Sequence, residues 1–165
     1  MARLAGKWQD ETVWDPFCGS GLELVERSLL GGVCKVYGTD RSQEAISIAH
    51  ENFSAADISG IETKFACCDF RDFGAVEGLE PNQVTLLITN PPLGKRIPIP
   101  NLRGMFEDLF RVASTVLRPG GRLVFANPLR MESPCADLKL QYRQTVDFGG
   151  FNCQVEKYVK TARRA

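Results

Sequence analysis

The chain has a single histidine, His50, and none of its six cysteines (18, 34, 67, 68, 135 and 153) forms a CxxC pair or stands at zinc-site spacing. This excludes the common cysteine–histidine metal patterns and argues against a disulfide framework, so reduced thiols and a cytoplasmic setting are expected. Long apolar runs are missing too. The longest, such as Val84–Ile88, are about five residues, far below the roughly 20 that span a bilayer. The residues after Met1 give no apolar leader segment, so no secretory signal is expected. No charge of one sign dominates: 20 Lys/Arg face 20 Asp/Glu. A hydrophobic share of 44% excludes disordered and low-complexity classes, and 165 residues suit one domain with its own core.

The charge balance hides a division. Residues 1–90 hold 7 Lys/Arg and 14 Asp/Glu, whereas residues 91–165 hold 13 and 6. An acidic first half and a basic second half fit either ordinary surface charge or a polyanion lying over one side.

Strand and helix signals alternate along the chain. Thr12–Asp15 is a β-prone run closed by Pro16, and a helical pattern then puts Leu22, Val25 and Leu29 on one face. Lys35–Thr39 reads as a strand. Ser42 is a plausible cap for a helix with Ala45, Ile46, Ala49 and Phe53 on its inner stripe. Glu62–Cys67 is a weaker strand, and Val84–Thr89 has the apolar run of a strand buried on both faces. Met105, Phe106, Leu109, Phe110, Ala113, Val116 and Leu117 mark an amphipathic helix that Pro119-Gly120-Gly121 should end, before a strand at Arg122–Ala126. Arg143–Phe148 and Gln154–Val159 are close enough in sequence to pair antiparallel, and Phe148, Phe151 and Tyr158 read as core. The expected fold is α/β, a mostly parallel sheet with helices on both faces and a late antiparallel hairpin.

Ligands of such sheets bind beyond the carboxyl ends of the strands. There the sequence places Asp15-Pro16-Phe17-Cys18-Gly19-Ser20-Gly21. Leu24 occupies the third glycine position of a dinucleotide fingerprint, and no Gly-Lys-Ser/Thr phosphate loop is present. Asp15 would repel a pyrophosphate but suit an ammonium group. Asp40-Arg41 follows the second strand, 19 residues after Gly21, at a distance suited to a ribose-binding carboxylate. Asp69-Phe70 follows the third strand and offers an acceptor beside an aromatic ring for an adenine. An amine, a ribose and an adenine without phosphates are the parts of S-adenosylmethionine. Cys18, within this turn, is expected to be partly exposed.

Asn90-Pro91-Pro92-Leu93 follows the fourth strand. Proline has no N–H, so this backbone offers mainly carbonyls. The Asn90 side-chain oxygen and the Pro91 carbonyl together suit an amine with two N–H donors. Gripping both N–H bonds of a conjugated amine exposes its lone pair for in-line methylation, a matter of positioning rather than of metal or covalent catalysis.

The motifs DPFCGSG (Asp15–Gly21), YGTD (Tyr37–Asp40), TNPPLGKR (Thr89–Arg96) and LRPGGRLV (Leu117–Val124) resemble, in order and spacing, the catalytic domain of the THUMP-associated RNA guanine-N2 methyltransferases. These are class I S-adenosylmethionine-dependent enzymes of Rossmann-like fold with a seven-stranded sheet. The resemblance implies that Asp15, Gly19, Gly21, Asp40 and Asp69 line the cofactor site, and that Asn90 to Leu93 face the target base in rRNA or tRNA. Lys95, Arg96, Arg103 and Arg130 are the candidates for RNA contact. Three departures stand out. Leu22 replaces the family's threonine, Leu93 replaces its base-stacking Tyr or Phe, and no RNA-binding THUMP region precedes residue 12. The chain is therefore expected to be the catalytic part of a larger protein. Adenine N6 of DNA and a protein glutamine amide suit the same motif, and a non-catalytic cofactor- or RNA-binding module is the alternative of another class.

Overall fold

The computed structural model describes residues 1–94 and 99–162. A one-turn helix α1 (Ala2–Ala5) leads into β1 (Glu11–Asp15), α2 (Leu22–Leu29), β2 (Val33–Asp40), α3 (Gln43–Ala55) and β3 (Glu62–Cys67). A 3-10 segment over Phe70–Ala75 follows, then β4 (Val84–Thr89), α4 (Leu102–Val116), β5 (Leu117–Asn127), β6 (Leu138–Asp147) and β7 (Asn152–Lys160). The seven strands form one sheet in the order β3-β2-β1-β4-β5-β7-β6. The first five are parallel, and β7 runs antiparallel to both β5 and β6. The order reverses between β1 and β4, which opens a crevice at the carboxyl ends of those two strands.

Each face of the sheet carries its own core. On one, α4 lays Phe106, Leu109 and Phe110 against Trp14, Leu87 and Phe125. On the other, α2 and α3 bring Leu24, Ile46, Ala49 and Phe53 to Val13, Val36, Ile88 and Val124. β4 is covered from both sides, and all six of its residues are buried. The capping residues behave as their chemistry requires. The Ser42 hydroxyl accepts the Ala45 N–H at 3.2 Å, and the Asn101 side chain accepts the Gly104 N–H at 2.9 Å.

Three expectations are corrected. α2 does not bury Leu22 and Leu29, which are 58% and 60% exposed; it buries Leu24, Arg27 and Ser28. The cause is an ion cluster. Glu11 on β1 is fully buried and pairs with both Arg27 and Arg122, and Arg122 also lies 4.0 Å from the Trp8 ring centroid. A helix face chosen by a buried arginine is invisible to apolar periodicity. Second, Pro119-Gly120-Gly121 does not separate α4 from β5. The strand starts at Leu117, and these residues form an irregularity in which Val84 pairs with Leu117 but Leu86 with Arg122. Gly120 takes a φ of +83, which a side chain would disfavour. Third, Tyr158 is core, but Phe148 and Phe151 lie half-buried at the β6–β7 turn, packed on each other at 6.3 Å.

Glu11→Ala strands two buried guanidinium groups and is expected to cost about 3–5 kcal/mol, against less than about 0.5 kcal/mol for the exposed Leu22→Ala. Urea denaturation checks this; equal losses in the two variants would contradict the assignment of the α2 inner face.

Candidate functional site

The loop after β1 is organised around Asp15. Its Oδ1 accepts the Phe17 backbone N–H at 3.0 Å and the Thr89 hydroxyl at 2.6 Å. One carboxylate thus ties the glycine loop to the end of β4. The residue is fully buried, and Oδ2 has no hydrogen-bond partner among the described residues. Burial, helped by the negative field of Glu23 and Asp40, pushes the carboxyl up to about 8, against the two hydrogen bonds that favour its charged form. At neutral pH the ligand-free protein therefore holds Asp15 mostly protonated.

The glycines fit this loop closely. Gly21 has a φ of +78, and a Cβ there would stand 3.2 Å from the Ala49 Cβ, so a side chain would be strained in its backbone and would press on α3. The Gly19 N–H donates to Asp40 Oδ2 at 3.0 Å, while the Ser42 N–H donates to Oδ1 at 2.9 Å. Asp40 is thereby fixed between the glycine loop and the start of α3. Ser20 is exposed, and its carbonyl accepts the Asn52 amide at 2.9 Å. Cys18 is 3% exposed rather than partly open, and burial drives its thiol pKa up, so it packs instead of reacting.

Beside this loop lies a cavity of about 710 Å³ at the carboxyl ends of the strands. Of the candidates read from the sequence, Pro16, Phe17, Asp40, Arg41, Asp69, Phe70, Asn90 and Pro92 line it. The Phe17 and Phe70 rings meet at 4.8 Å. Asp15, Cys18, Gly19, Ser20, Gly21, Pro91 and Leu93 are not lining residues; they lie in the two loops that carry the walls. Five residues were not foreseen: Ser42, Arg71, Ile99, Pro100 and Met105. The sequence pattern marks Ser42 only as a cap and Met105 only as part of a helical stripe. A second cavity, about 800 Å³ and lined by Ser114, Cys135 and Lys139, lies by the start of β6, at the opposite end of the strands, and contains none of the site residues.

Among the described residues, five cations of the basic half have partners within the protein. Arg103 and Arg111 pair with Glu107, Arg143 with Glu156, and Arg122 with Glu11. Lys160 donates to the Asn82 side chain and the Leu117 carbonyl. Arg103 remains 72% exposed along its side chain, and Arg130 is exposed in the loop after β5. Lys95 and Arg96 lie outside the described residues.

Residues 1–156 match the family model described as UPF0020, RMKL-like methyltransferase domain. The chain is 27% identical over 139 residues to a tRNA (guanine(10)-N2)-dimethyltransferase of Methanocaldococcus jannaschii, a match covering 80% of this chain and 36% of that protein. It is 32% identical over 100 residues to ribosomal RNA large subunit methyltransferase K/L of Syntrophotalea carbinolica, covering 59% of this chain and 13% of the relative. Among solved structures, TrmN from Thermus thermophilus superposes with a TM-score of 0.78 at 27% identity, over 96% of this chain and 46% of that one. The chain thus spans about a third of the length of the archaeal relative.

Because the Asp15 pKa is raised from 3.8 to about 8 by folding, its neutral form is the one the fold favours, and stability from this group declines as pH rises between those values. Asp15→Asn, neutral at every pH, should gain on the wild type by up to about 1.4 kcal/mol per pH unit across this window and level off above it. Thermal melts of both ligand-free proteins from pH 5 to 9 check this; a constant difference would contradict the buried, raised carboxyl.

Proposed function

The chain belongs to the RMKL-like methyltransferase-domain family, and from that premise we propose that it uses S-adenosylmethionine to methylate an exocyclic amine of RNA, guanine N2 of rRNA or tRNA. The observation that carries this reading is the convergence of Asp40, Asp69 and Asn90 on one cavity at the switch point of the sheet. The donor set suits the cofactor. Asp40 and Glu23 give the glycine loop a negative field, which Asp15 joins on losing its proton, and Asp15 Oδ2 is a buried oxygen without a partner among the described residues. A cation is favoured there, and a pyrophosphate is not.

S-adenosylmethionine supplies an electrophilic methyl group on a sulfonium. Asp15 and the loop through Gly21 hold its amino-acid end, Asp40 its ribose hydroxyls, and Asp69 with Phe70 its adenine, with Arg41 at the rim. The Asn90 side-chain oxygen and the Pro91 carbonyl accept the two N–H bonds of the target amine. Pro92 closes the turn without adding a competing donor. Leu93, with Ile99, Pro100 and Met105 on the cavity wall, offers the base aliphatic contact in place of a stacked ring. Lys95, Arg96, Arg103 and Arg130 are the proposed contacts to RNA phosphates. A further RNA-binding region, N-terminal to this domain, is proposed as its partner. A cytoplasmic setting is part of the proposal; among the described residues no helix is long and apolar enough to cross a membrane.

Asp40→Ala should weaken S-adenosylmethionine binding about tenfold or more by calorimetry. Asn90→Ala should leave that affinity within about twofold and lower methyl transfer to rRNA or tRNA transcripts by about 10²-fold or more. Methyl transfer surviving in Asn90→Ala, or cofactor binding without transfer to any RNA, would overturn the proposal.

A further inference from the structure

One wall of the cavity is built from a ladder of alternating charges. Asp69 Oδ1 accepts the Arg71 backbone N–H at 3.0 Å, and Arg71 Nη1 reaches Oδ1 at 3.1 Å and Oδ2 at 3.0 Å. Behind it, Arg71 Nε donates to Asp108 Oδ2 on α4 at 2.8 Å, and Asp108 Oδ1 accepts from Arg111 Nη1 at 2.9 Å. The guanidinium carbon lies 4.7 Å from the centroid of the Phe70 ring. Arg71 is therefore pinned by a carboxylate on each side and by an aromatic face. A guanidinium held in this way, with Nη1 astride both Asp69 oxygens and Nε on Asp108, fixes the plane of the Asp69 carboxylate as well as its charge.

A carboxylate has about four lone-pair positions. Arg71 takes two on Oδ1, through its N–H and Nη1, and one on Oδ2, again through Nη1. Arg41 Nε stands 3.9 Å from Oδ2, beyond hydrogen-bond distance, on a side chain 83% exposed. One acceptor position thus remains on a residue that lines the cavity. A single oriented acceptor matches one N–H of a 6-amino group. Against a 6-oxo purine it would set oxygen on oxygen, with no donor between them.

We infer that Arg71 is a positioning residue that sets the purine selectivity of the cofactor pocket, by holding Asp69 as a one-position acceptor for a 6-aminopurine and against a 6-oxopurine. The inference rests on the proposed role of Asp69 toward adenine. Without the Arg71 guanidinium the carboxylate keeps only the residue-71 backbone N–H, its plane is no longer set, and the selective geometry is lost even where the pocket still binds.

The test compares the affinities of S-adenosylhomocysteine and S-inosylhomocysteine by calorimetry. The wild type is expected to prefer the adenine ligand about 10–100-fold. Arg71→Leu should bring that ratio to within about threefold, chiefly by weakening the adenine ligand. Arg71→Lys, which keeps a cation but loses the joint hold on Asp69 and Asp108, should fall between the two. Asp108→Asn leaves Arg71 in place and loosens it from behind, so it should reduce the ratio partially and serves as the second variant if Arg71→Leu does not fold. Equal weakening of both ligands in Arg71→Leu, or an unchanged ratio in the foldable variants, would reduce Arg71 to a brace between the 3-10 segment and α4 and overturn the inference. A wild type with no preference, unaltered by Asp69→Asn, would instead overturn the adenine role of Asp69 itself.

Discussion

Oδ1 of Asp15 accepts hydrogen bonds from the Phe17 backbone and from the Thr89 hydroxyl, so the glycine loop after β1 and the Asn90-Pro91-Pro92 turn after β4 are held to the same atom. These two loops flank the point at which the strand order reverses. Their relative position determines how a methyl donor on one side meets an acceptor amine on the other, and effective molarities of about 10⁵–10⁸ M are available to groups held in line. The arrangement has an electrostatic cost. A carboxyl sealed from water and facing Glu23 and Asp40 is held in its neutral form near pH 7. A ligand carrying positive charge relieves that cost, which links the loop's architecture to the kind of molecule it favours.

The same economy of charge runs through the rest of the fold. Glu11 sits buried between Arg27 and Arg122 and decides which face α2 turns inward. Asp69, Arg71, Asp108 and Arg111 join the cavity wall to α4. The division of the chain into acidic and basic halves is therefore not simply a surface pattern. The acidic half supplies the carboxylates of the pocket, and among the described residues five cations of the basic half hold partners within the protein.

What was legible in the sequence follows from the range of the forces involved. The continuous apolar run of β4, the α4 stripe from Met105 to Val116 and the Ser42 cap depend on near neighbours, and each stands where its pattern put it, whereas Leu117, at the end of that stripe, opens β5. Asp40 and Asn90 were readable because a loop at a strand's carboxyl end is placed by the strand itself. Arg27, by contrast, is buried by a glutamate 16 positions away, and no helical periodicity contains that information. The Pro119-Gly120-Gly121 segment reads locally as a break, yet pairing with β4 keeps it in the sheet. Arg71 carries no local signal of a pocket residue, and only Asp108 on α4, 37 positions later in the chain, fixes it in the wall. Ile99, Pro100 and Met105 likewise carry no local signal of the cavity they line.

The central claim is that a mostly protonated Asp15 waits beneath the glycine loop for a cationic ligand. Calorimetry of S-adenosylmethionine binding at pH 7, repeated in buffers of different ionisation enthalpy, measures the protons released on binding. A value approaching one per molecule bound in the wild type, and near zero in Asp15→Asn, is the expected result. Binding with no proton release in the wild type would show that the carboxyl is already charged or does not sense the ligand, and would contradict the account.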